Sequence, residues 1–464
     1  MSFGARSRAV LASLGTLGLA LAVASPASAA GGTPTTPAQL FNGYRSCSTD
    51  TDRPTYVWAG TGLVVEGIPA TTDNSSLSVQ YQVWPVADPT QITTVTRDHA
   101  APGFEAPGQL PSEALADGQT YAWRAQTVAG GTASDWSAPC YVAIDDTRPA
   151  NAPTVSSPNY PPDKLNQGGQ PVRFTLSANG VDDVTGFEYS WYQPLPVIST
   201  TMGDHGIPQP LDPYSDPTHF TRADAPGGSA TLNLIPPDGL GTGGTLVVRS
   251  LDRAYNVSET TSYSFLVSST APTVTPDAPS PEFGRPATFT LRPDAALQST
   301  SPVVSYSVHT VGSPDGDKTV DVKAAADGTA QVKLTLDGPN GESLQVTSKS
   351  ANGWVSNAGS WSSSYDTTPT VASEVYPENA WDGGVGVPGT FTFTPKVKGV
   401  VSYTYSFDGE PEVTVAAGAH HAASIDWTPT SDGPAGLTVY ATTRSGLQTA
   451  SYYYGFAVQG NSGS

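Results

Sequence analysis

This sequence has few charged residues, and few of those are basic. Charged residues make up 13% of the 464 positions, and Lys and Arg together number 21 against 41 Asp and Glu. The formal charge of -20 disfavours nucleic acid and anionic membrane surfaces as partners, because both require a basic protein surface. We therefore predict that this protein does not bind nucleic acid.

Cysteine is almost absent. Cys47 and Cys140 are the two cysteines of the chain, and an even pair in an oxidising compartment most simply forms one disulfide. Redox catalysis needs a close pair such as Cys-x-x-Cys, which this sequence does not contain. The two cysteines therefore predict a structural bridge.

Motifs for catalysis are missing as well. The sequence contains no nucleophile elbow, zinc-protease helix, phosphate loop or dinucleotide fingerprint, and no two acidic residues are marked as a glycosidase pair. The doublet His420-His421 follows Gly418-Ala419 in a predicted hairpin turn. We weigh a metal-binding role for the doublet against solvated turn residues, and we favour the turn. The sequence predicts no catalytic residue, no cofactor and no metal site.

A long hydrophobic run occurs only near the N-terminus. Arg6 and Arg8 precede the apolar stretch Ala9–Ala24, and Ala27-Ser28-Ala29 has the small-x-small pattern of a cleavage site. The apolar stretch is shorter than the roughly 20 residues of a membrane span, which argues against an uncleaved anchor. We therefore predict that residues 1–30 are a signal peptide, that the protein is secreted, and that no membrane anchor remains after cleavage.

Glycine and proline are abundant, and one short phrase recurs along the chain. There are 47 Gly and 42 Pro, as a turn-rich all-β protein requires. The phrase Asp366–Val371 returns as Ser269–Val274, and again at Asp146–Pro149 running into Pro153–Val155. Each copy precedes stretches that alternate polar and apolar residues, such as Val172–Leu176, which is the pattern of half-buried strands. The repeats predict tandem β-sandwiches.

The first repeat unit carries a recognisable corner. Leu115, Gly118 and Tyr121 follow one another at intervals of three, and Trp136-Ser137 comes after the next turn. This pattern resembles the E–F corner and the last strand of fibronectin type III modules. The resemblance implies that the Tyr121 hydroxyl bonds to upstream backbone and holds a sandwich corner.

The later units resemble a second family. Asp252–Ser258 is similar to the Asp-x-Ala-Gly-Asn-x-Ser turn near the end of bacterial immunoglobulin-like domains, with Tyr255 where that family usually has glycine. The order of units is similar to the accessory regions of large secreted actinobacterial proteins. The resemblance implies an all-β fold of four tandem immunoglobulin-like or fibronectin type III-like sandwiches. We place the domains at residues 31–147, 148–268, 269–366 and 367–464.

An insertion breaks the repeat template in the second unit, from Gln193 to Pro226. Loops on rigid scaffolds often carry function, and aromatic, Asp and His side chains suit sugar or metal contacts. A Pro-rich surface excursion without function is the alternative. The candidate ligand-binding residues in it are Asp204, His205, Asp212, Tyr214, Asp216, His219 and Phe220.

Three tryptophans form a second candidate. Trp354, Trp361 and Trp381 flank the predicted joint between the third and fourth units. They suit either a carbohydrate platform or burial at the joint or in a sandwich core, and we favour burial because Trp buries a large apolar area.

The sequence thus predicts an exported, non-catalytic array with a structural, adhesive or binding role outside the cell. Polysaccharide, cell envelope or another extracellular protein are the predicted partners. The alternative is a secreted hydrolase or lectin-like protein whose site lies in the atypical second unit.

Overall fold

The computed structural model describes residues 32–43, 45–72, 76–192, 194–196, 200–202, 208–210, 212–237 and 243–460. The predicted signal peptide lies outside these residues, as do Asp204 and His205 of the predicted binding loop. Regular structure is almost entirely β-strand, arranged in paired sheets, so the prediction of an all-β chain of tandem sandwiches is confirmed. In the described part of the chain, no helix has the length and apolar character of a membrane span.

The chain forms two compact units. The first comprises Met1–Thr147 and Ile198–Leu211, and the second comprises Arg148–Val197 and Asp212–Ser464. Within the second unit the strands form three successive sheet pairs, which we call the second, third and fourth sheet pairs. The division of the chain into four domains at the positions given above stays a prediction.

The first unit contains one sheet pair with its own hydrophobic core. Its strands are β1 (Pro34–Asn42), β2 (Arg45–Ser46), β3 (Thr55–Val57), β4 (Leu63–Thr71), β5 (Leu77–Pro85), β6 (Thr93–Ala100), β7 (Gly108–Leu110), β8 (Thr120–Ala129), β9 (Thr132–Ala133) and β10 (Cys140–Ile144), with a 3-10 helix at Ser112–Ala114. One sheet has the order β2-β1-β4-β7, and the other has the order β3-β10-β8-β5-β6 with β9 on β8. Alternate residues of β5 (Val79, Tyr81 and Val83) are buried in the core, as the polar-apolar alternation predicts.

The predicted disulfide is confirmed. Cys47 and Cys140 are bonded, with their Cα atoms 5.3 Å apart. Cys47 follows β2 in the segment that leads from one sheet to the other, and Cys140 begins β10. The bond therefore joins the start of the last strand to the passage between the sheets.

The predicted tyrosine corner is also present. The Tyr121 hydroxyl accepts a hydrogen bond of 2.9 Å from the backbone N–H of Ala116. Tyr121 is 6% exposed, so the acceptor of this bond is buried, while its donor belongs to the exposed residue Ala116.

We expect Tyr121→Phe to lower the free energy of unfolding by about 1–2 kcal/mol, because the Ala116 N–H loses its acceptor. Hydrogen exchange of β8 measures the loss. Tyr141→Phe is the matched control, because the Tyr141 hydroxyl forms no hydrogen bond with any of the described residues. Equal exchange rates in the two variants would show that Tyr121 does not stabilise the corner.

The second sheet pair begins after Pro153. Its strands are β11 (Thr154–Ser156), β12 (Leu165–Asn166), β13 (Val172–Ser177), β14 (Gly186–Ser190), β17 (Phe220–Arg222), β18 (Ser229–Leu234), β19 (Gly243–Leu251) and β20 (Thr261–Val267). Between β14 and β17 the chain forms a separate hairpin of β15 (Thr200–Met202) and β16 (Pro208–Pro210), which is part of the first unit. The sheets have the orders β11-β13-β18 and β12-β20-β19-β14-β17. A 3-10 helix at Pro213–Ser215 leads into β17.

The fourth sheet pair repeats this plan, and the third, in its described residues, does so without the short parallel edge strand that corresponds to β12. The third contains β21 (Thr273–Pro276), β22 (Pro286–Arg292), α1 (Ala295–Thr300), β23 (Val303–Val311), β24 (Lys318–Lys323), β25 (Ala330–Thr335), β26 (Gly341–Ser350) and β27 (Gly359–Ser364). The fourth contains β28 (Thr370–Ala372), β29 (Trp381–Asp382), β30 (Gly389–Thr394), β31 (Val400–Phe407), β32 (Val413–Ala416), a 3-10 helix at Ala419–His421, β33 (Ala423–Trp427), β34 (Gly433–Thr443) and β35 (Tyr452–Val458). Their sheet orders are β21-β22-β25 with β24-β23-β26-β27, and β28-β30-β33 with β29-β35-β34-β31-β32.

Trp354 joins the second sheet pair to the third. It is 5% exposed, and its indole N–H donates a 3.1 Å hydrogen bond to the Thr270 hydroxyl. A Cβ on Gly168 would lie 2.9 Å from the indole ring, so the glycine leaves room for it. Burial, the interpretation that the sequence favours for this tryptophan, is therefore confirmed. The joint at which it lies is that between the second and third sheet pairs, and not the one between the third and fourth units. The sequence does not show which neighbour a tryptophan at the end of a unit will contact.

The other two tryptophans differ from each other. Trp361 packs edge to face on Phe289 in the third sheet pair, with ring centroids 4.7 Å apart. Trp381 is 59% exposed on β29. The three tryptophans thus occupy three different environments and do not form one platform.

Candidate functional site

The end of the insertion forms the edge strand of a sheet. Phe220 lies opposite Glu188 where β17 pairs with β14, and it is 5% exposed. The carbonyl of His219 accepts a 2.8 Å hydrogen bond from the backbone N–H of Tyr189. The ring Nδ1 of His219 lies 3.2 Å from the Tyr189 carbonyl oxygen. Both candidate residues therefore hold β17 in place.

The three other candidates that the structure describes, Asp212, Tyr214 and Asp216, lie in and around the 3-10 helix that leads into β17. Asp212 accepts from the backbone N–H of Tyr214 at 3.1 Å and pairs with Arg222 at 2.6 Å. The Arg222 guanidinium also lies over the Tyr214 ring, 4.2 Å from its centre. Asp216 accepts from the backbone N–H of Thr218 at 2.9 Å. These side chains contact their own chain, and a ligand-binding role for them stays a prediction.

A buried ion pair lies beside this strand. Glu188 is 0% exposed, and its Oε2 accepts a 2.6 Å hydrogen bond from Nε of Arg249 on β19. Nη2 of Arg249 lies 3.5 Å from the carbonyl oxygen of Pro196 in the insertion. The neighbours of Glu188 on β14, Phe187 and Tyr189, belong to the core, so Glu188 is on the opposite, outer face of the sheet. The outer face is therefore covered at this point, and the insertion contributes to the cover.

Three buried carboxyl groups have a raised pKa in the described part of the chain. Burial, with the negative charge of Glu105, raises the pKa of Glu66 to about 7. Burial also raises the pKa of Glu188, and the neighbouring Arg249 offsets part of this rise. Burial likewise raises the pKa of Glu342. Each of the three residues is at most 4% exposed. A general acid must be within hydrogen-bonding reach of its substrate, and the burial of these three carboxyl groups keeps them from a substrate in solution.

An open cleft of about 840 Å³ lies between the third and fourth sheet pairs. Its walls come from five segments that join strands. Ser280–Arg285 belongs to the third sheet pair, and Tyr365–Thr367 connects the third sheet pair to the fourth. The fourth sheet pair contributes Lys396–Gly399, His421 and Thr443–Ser445. The volume lies within the range of about 300–1,000 Å³ that small-molecule sites occupy. We call this concavity the joint cleft.

The joint cleft is basic although the chain is acidic. Arg285, Lys396, Lys398 and Arg444 line it, against the two carboxylates Glu282 and Asp366. Lys398 pairs with Glu282 across the cleft at 2.9 Å, and Lys396 pairs with Asp366 at 2.5 Å. These contacts lower the pKa of both carboxyl groups, with the hydrogen bond from the lysine as the larger cause in each case. Both carboxylates are therefore charged at neutral pH.

Neither arginine of the cleft forms such an ion pair, although the charge of Arg285 contributes a smaller part of the lowered pKa of Glu282. Among the described residues, no carboxylate oxygen lies within 4 Å of the Arg285 or Arg444 guanidinium. Both side chains are exposed. The lining therefore carries an excess of two positive charges, held by donors that are open to a ligand.

Aromatic and polar groups complete the lining. Phe283 and Tyr365 contact each other edge to face, with centroids 6.3 Å apart. His421 has a left-handed backbone with φ of 59°, and its Nδ1 lies 2.8 Å from the Val400 carbonyl oxygen. Half of the histidine doublet is thus part of the cleft wall, which the sequence did not indicate.

Comparison with known proteins does not assign a family. No protein-family model matches the chain, and no curated protein matches it. One similar solved structure is a Ca²⁺-stabilized adhesin that helps an Antarctic bacterium bind ice, at 16% identity, covering 92% of this chain and 100% of the adhesin chain with a TM-score of 0.23.

Two other solved structures are similar at the same level. The FN1–FN3 domains of chicken CNTN1 are 11% identical, covering 66% of this chain and 99% of that chain with a TM-score of 0.23. Escherichia coli alpha-2-macroglobulin activated by porcine elastase is 11% identical, covering 91% of this chain and 44% of that chain with a TM-score of 0.21. These TM-scores are too low to support a conclusion about function.

Proposed function

We propose that this protein is an exported, non-catalytic array of four β-sandwich domains that binds a ligand outside the cell. The domains are those placed at residues 31–147, 148–268, 269–366 and 367–464, of the fibronectin type III-like and bacterial immunoglobulin-like kinds. The observation that carries the proposal is the joint cleft, a concave and polar site lined by two sheet pairs. Binding sites favour such concave positions between packed elements.

The disulfide and the N-terminal pattern support export. Disulfides persist in oxidising compartments outside the cytosol, and Cys47 and Cys140 are bonded. The segment 1–30 has the composition of a signal peptide. Both features favour a protein that works outside the cell.

The burial of the acidic groups favours binding over hydrolysis. In the second sheet pair, where a hydrolase site is the alternative, Glu188 is 0% exposed and paired with Arg249. A glycosidase needs two carboxyl groups that flank a bound sugar. Glu188 does not have the access to substrate that such a role requires.

The test is binding of the full mature chain to a panel of immobilised neutral and acidic polysaccharides. We expect Ser445→Trp, which places an indole in the joint cleft, to weaken retention by about tenfold or more, about 1.4 kcal/mol. Ser362→Trp on the exposed face of β27 is the matched control, because Ser362 does not line the cleft. If the protein is retained by no member of the panel, the proposed binding function is wrong for polysaccharides.

A further inference from the structure

We infer that the joint cleft selects an acidic polysaccharide, and that Arg285 and Arg444 bind its anionic groups. This inference rests on the proposed binding function and names the class of ligand. Its basis is the position of two arginines without an ion-pair partner in a chain whose acidic residues outnumber its basic ones by 41 to 21. Four of those 21 basic residues line this one cleft.

The acidic character of the whole chain does not prevent an anion from binding here. The Debye length is about 8 Å at physiological ionic strength, so distant carboxylates are largely screened. An anion in the cleft instead interacts with the groups around it, which carry the excess positive charge. The local charge therefore decides which ligands are attracted.

The arginines provide suitable donors. A guanidinium presents a planar fork of N–H donors that matches carboxylate or sulfate oxygens, and such charge-assisted bonds are roughly twice as strong as neutral ones. Lys396 and Lys398 already bind Asp366 and Glu282, whereas Arg285 and Arg444 have no carboxylate within 4 Å among the described residues. The two arginines are therefore the residues that a ligand anion would contact.

The shape of the cleft favours a sugar chain over an acidic protein. Stable protein partners bury about 800 Å² of a mostly flat surface on each side, whereas this site is a concave groove between loops. The lining also includes Phe283 and Tyr365, and aromatic rings are amphipathic groups that contact the apolar face of a sugar ring. Charge and shape together therefore point to an acidic polysaccharide.

The experiment compares four soluble polymers by isothermal titration with the full mature chain. Polygalacturonate carries carboxylates, dextran sulfate carries sulfates, dextran is neutral, and poly-glutamate is an acidic polymer without sugar. We expect binding to one or both acidic polysaccharides and an affinity that falls as NaCl rises from about 50 to about 500 mM. The polymer that binds more tightly identifies carboxylate or sulfate as the preferred group.

Variants locate the binding in the cleft. Arg285→Ala/Arg444→Ala should weaken binding by about tenfold or more, while the control Arg173→Ala/Arg292→Ala, which removes two exposed arginines outside the cleft, should not. Glu282→Gln/Asp366→Asn should strengthen binding by about threefold or more, because it removes both negative charges from the lining. A merely structural role of these residues would not produce an increase. Thermal unfolding of each variant checks that the fold is retained.

Three outcomes would overturn the inference. Equal binding of dextran, with no effect of the arginine variants, would leave the proposed function standing and remove the acidic selectivity. Binding of poly-glutamate as tight as that of the acidic polysaccharides would show recognition of charge without sugar. Sedimentation that detects a dimer dissociated by the arginine variants would assign the cleft to a second copy of this chain.

Discussion

Reduction of the Cys47–Cys140 bond is expected to lower the free energy of unfolding of the first unit by about 4–5 kcal/mol. The bond closes a loop with a sequence separation of 93 residues. In the chain-entropy description, such a loop removes many conformations from the unfolded ensemble, and reduction restores them. The size of the effect is a large part of the roughly 5–15 kcal/mol that stabilises a typical domain.

Hydrogen exchange of the full chain, with and without a reducing agent, measures this loss. Strand β8 should exchange much faster after reduction, because its residue Trp123 lies opposite Cys140 in the sheet. Strand β34 of the fourth sheet pair is the internal control, since both cysteines are in the first unit. Reduction is better than substitution here, because Cys140 is 0% exposed and a smaller side chain would leave a cavity. Unchanged exchange in β8 after full reduction would show that the bond does not stabilise the unit.

The strands of this protein could be predicted because their signal is local. Val172–Leu176 alternates in sequence, and β13 covers Val172–Ser177 with Phe174 fully buried. The tyrosine corner was predictable for the same reason, since Tyr121 and Ala116 are only five residues apart. Burial on one face of a strand and short-range hydrogen bonds both leave a pattern in neighbouring residues.

The joint cleft could not be predicted in this way. The two arginines that have no ion-pair partner, Arg285 and Arg444, come from different sheet pairs and are far apart in sequence. A site built from turns depends on how two sheet pairs pack, and no periodicity in the sequence records that arrangement. The closest local signal is Lys396-Val397-Lys398, two cations on one short turn of an acidic chain.

The cover over Glu188 was equally hidden. Alternation along β14 predicts an outward residue at this position, between the core residues Phe187 and Tyr189, and an outward glutamate normally reaches water. The glutamate is instead 0% exposed. The sequence marks the insertion as a break in the repeat template, but the effect of the insertion on this face of the sheet depends on tertiary contacts.

We expect Arg249→Met to lower the free energy of unfolding by about 3–5 kcal/mol at about pH 8, since it leaves the Glu188 carboxylate buried without its partner. Burial raises the pKa of Glu188 above its ordinary value of 4.5, and Arg249 at present offsets part of that rise. Without Arg249, the folded-state pKa of Glu188 will be higher still, while the unfolded value is unchanged. The folded state then binds the proton more tightly, so stability falls as pH rises through the folded pKa.

The loss should therefore be largest at about pH 8 and should shrink as the pH falls towards the ordinary value of 4.5. Chemical unfolding at several pH values measures it, with hydrogen exchange of β14 as the local reading. The double variant Glu188→Gln/Arg249→Met is the matched control, because it removes the charge together with its partner and should recover most of the stability. A single variant that loses less than about 1 kcal/mol at every pH, or a double variant as unstable as the single one, would contradict the buried ion pair as the cause.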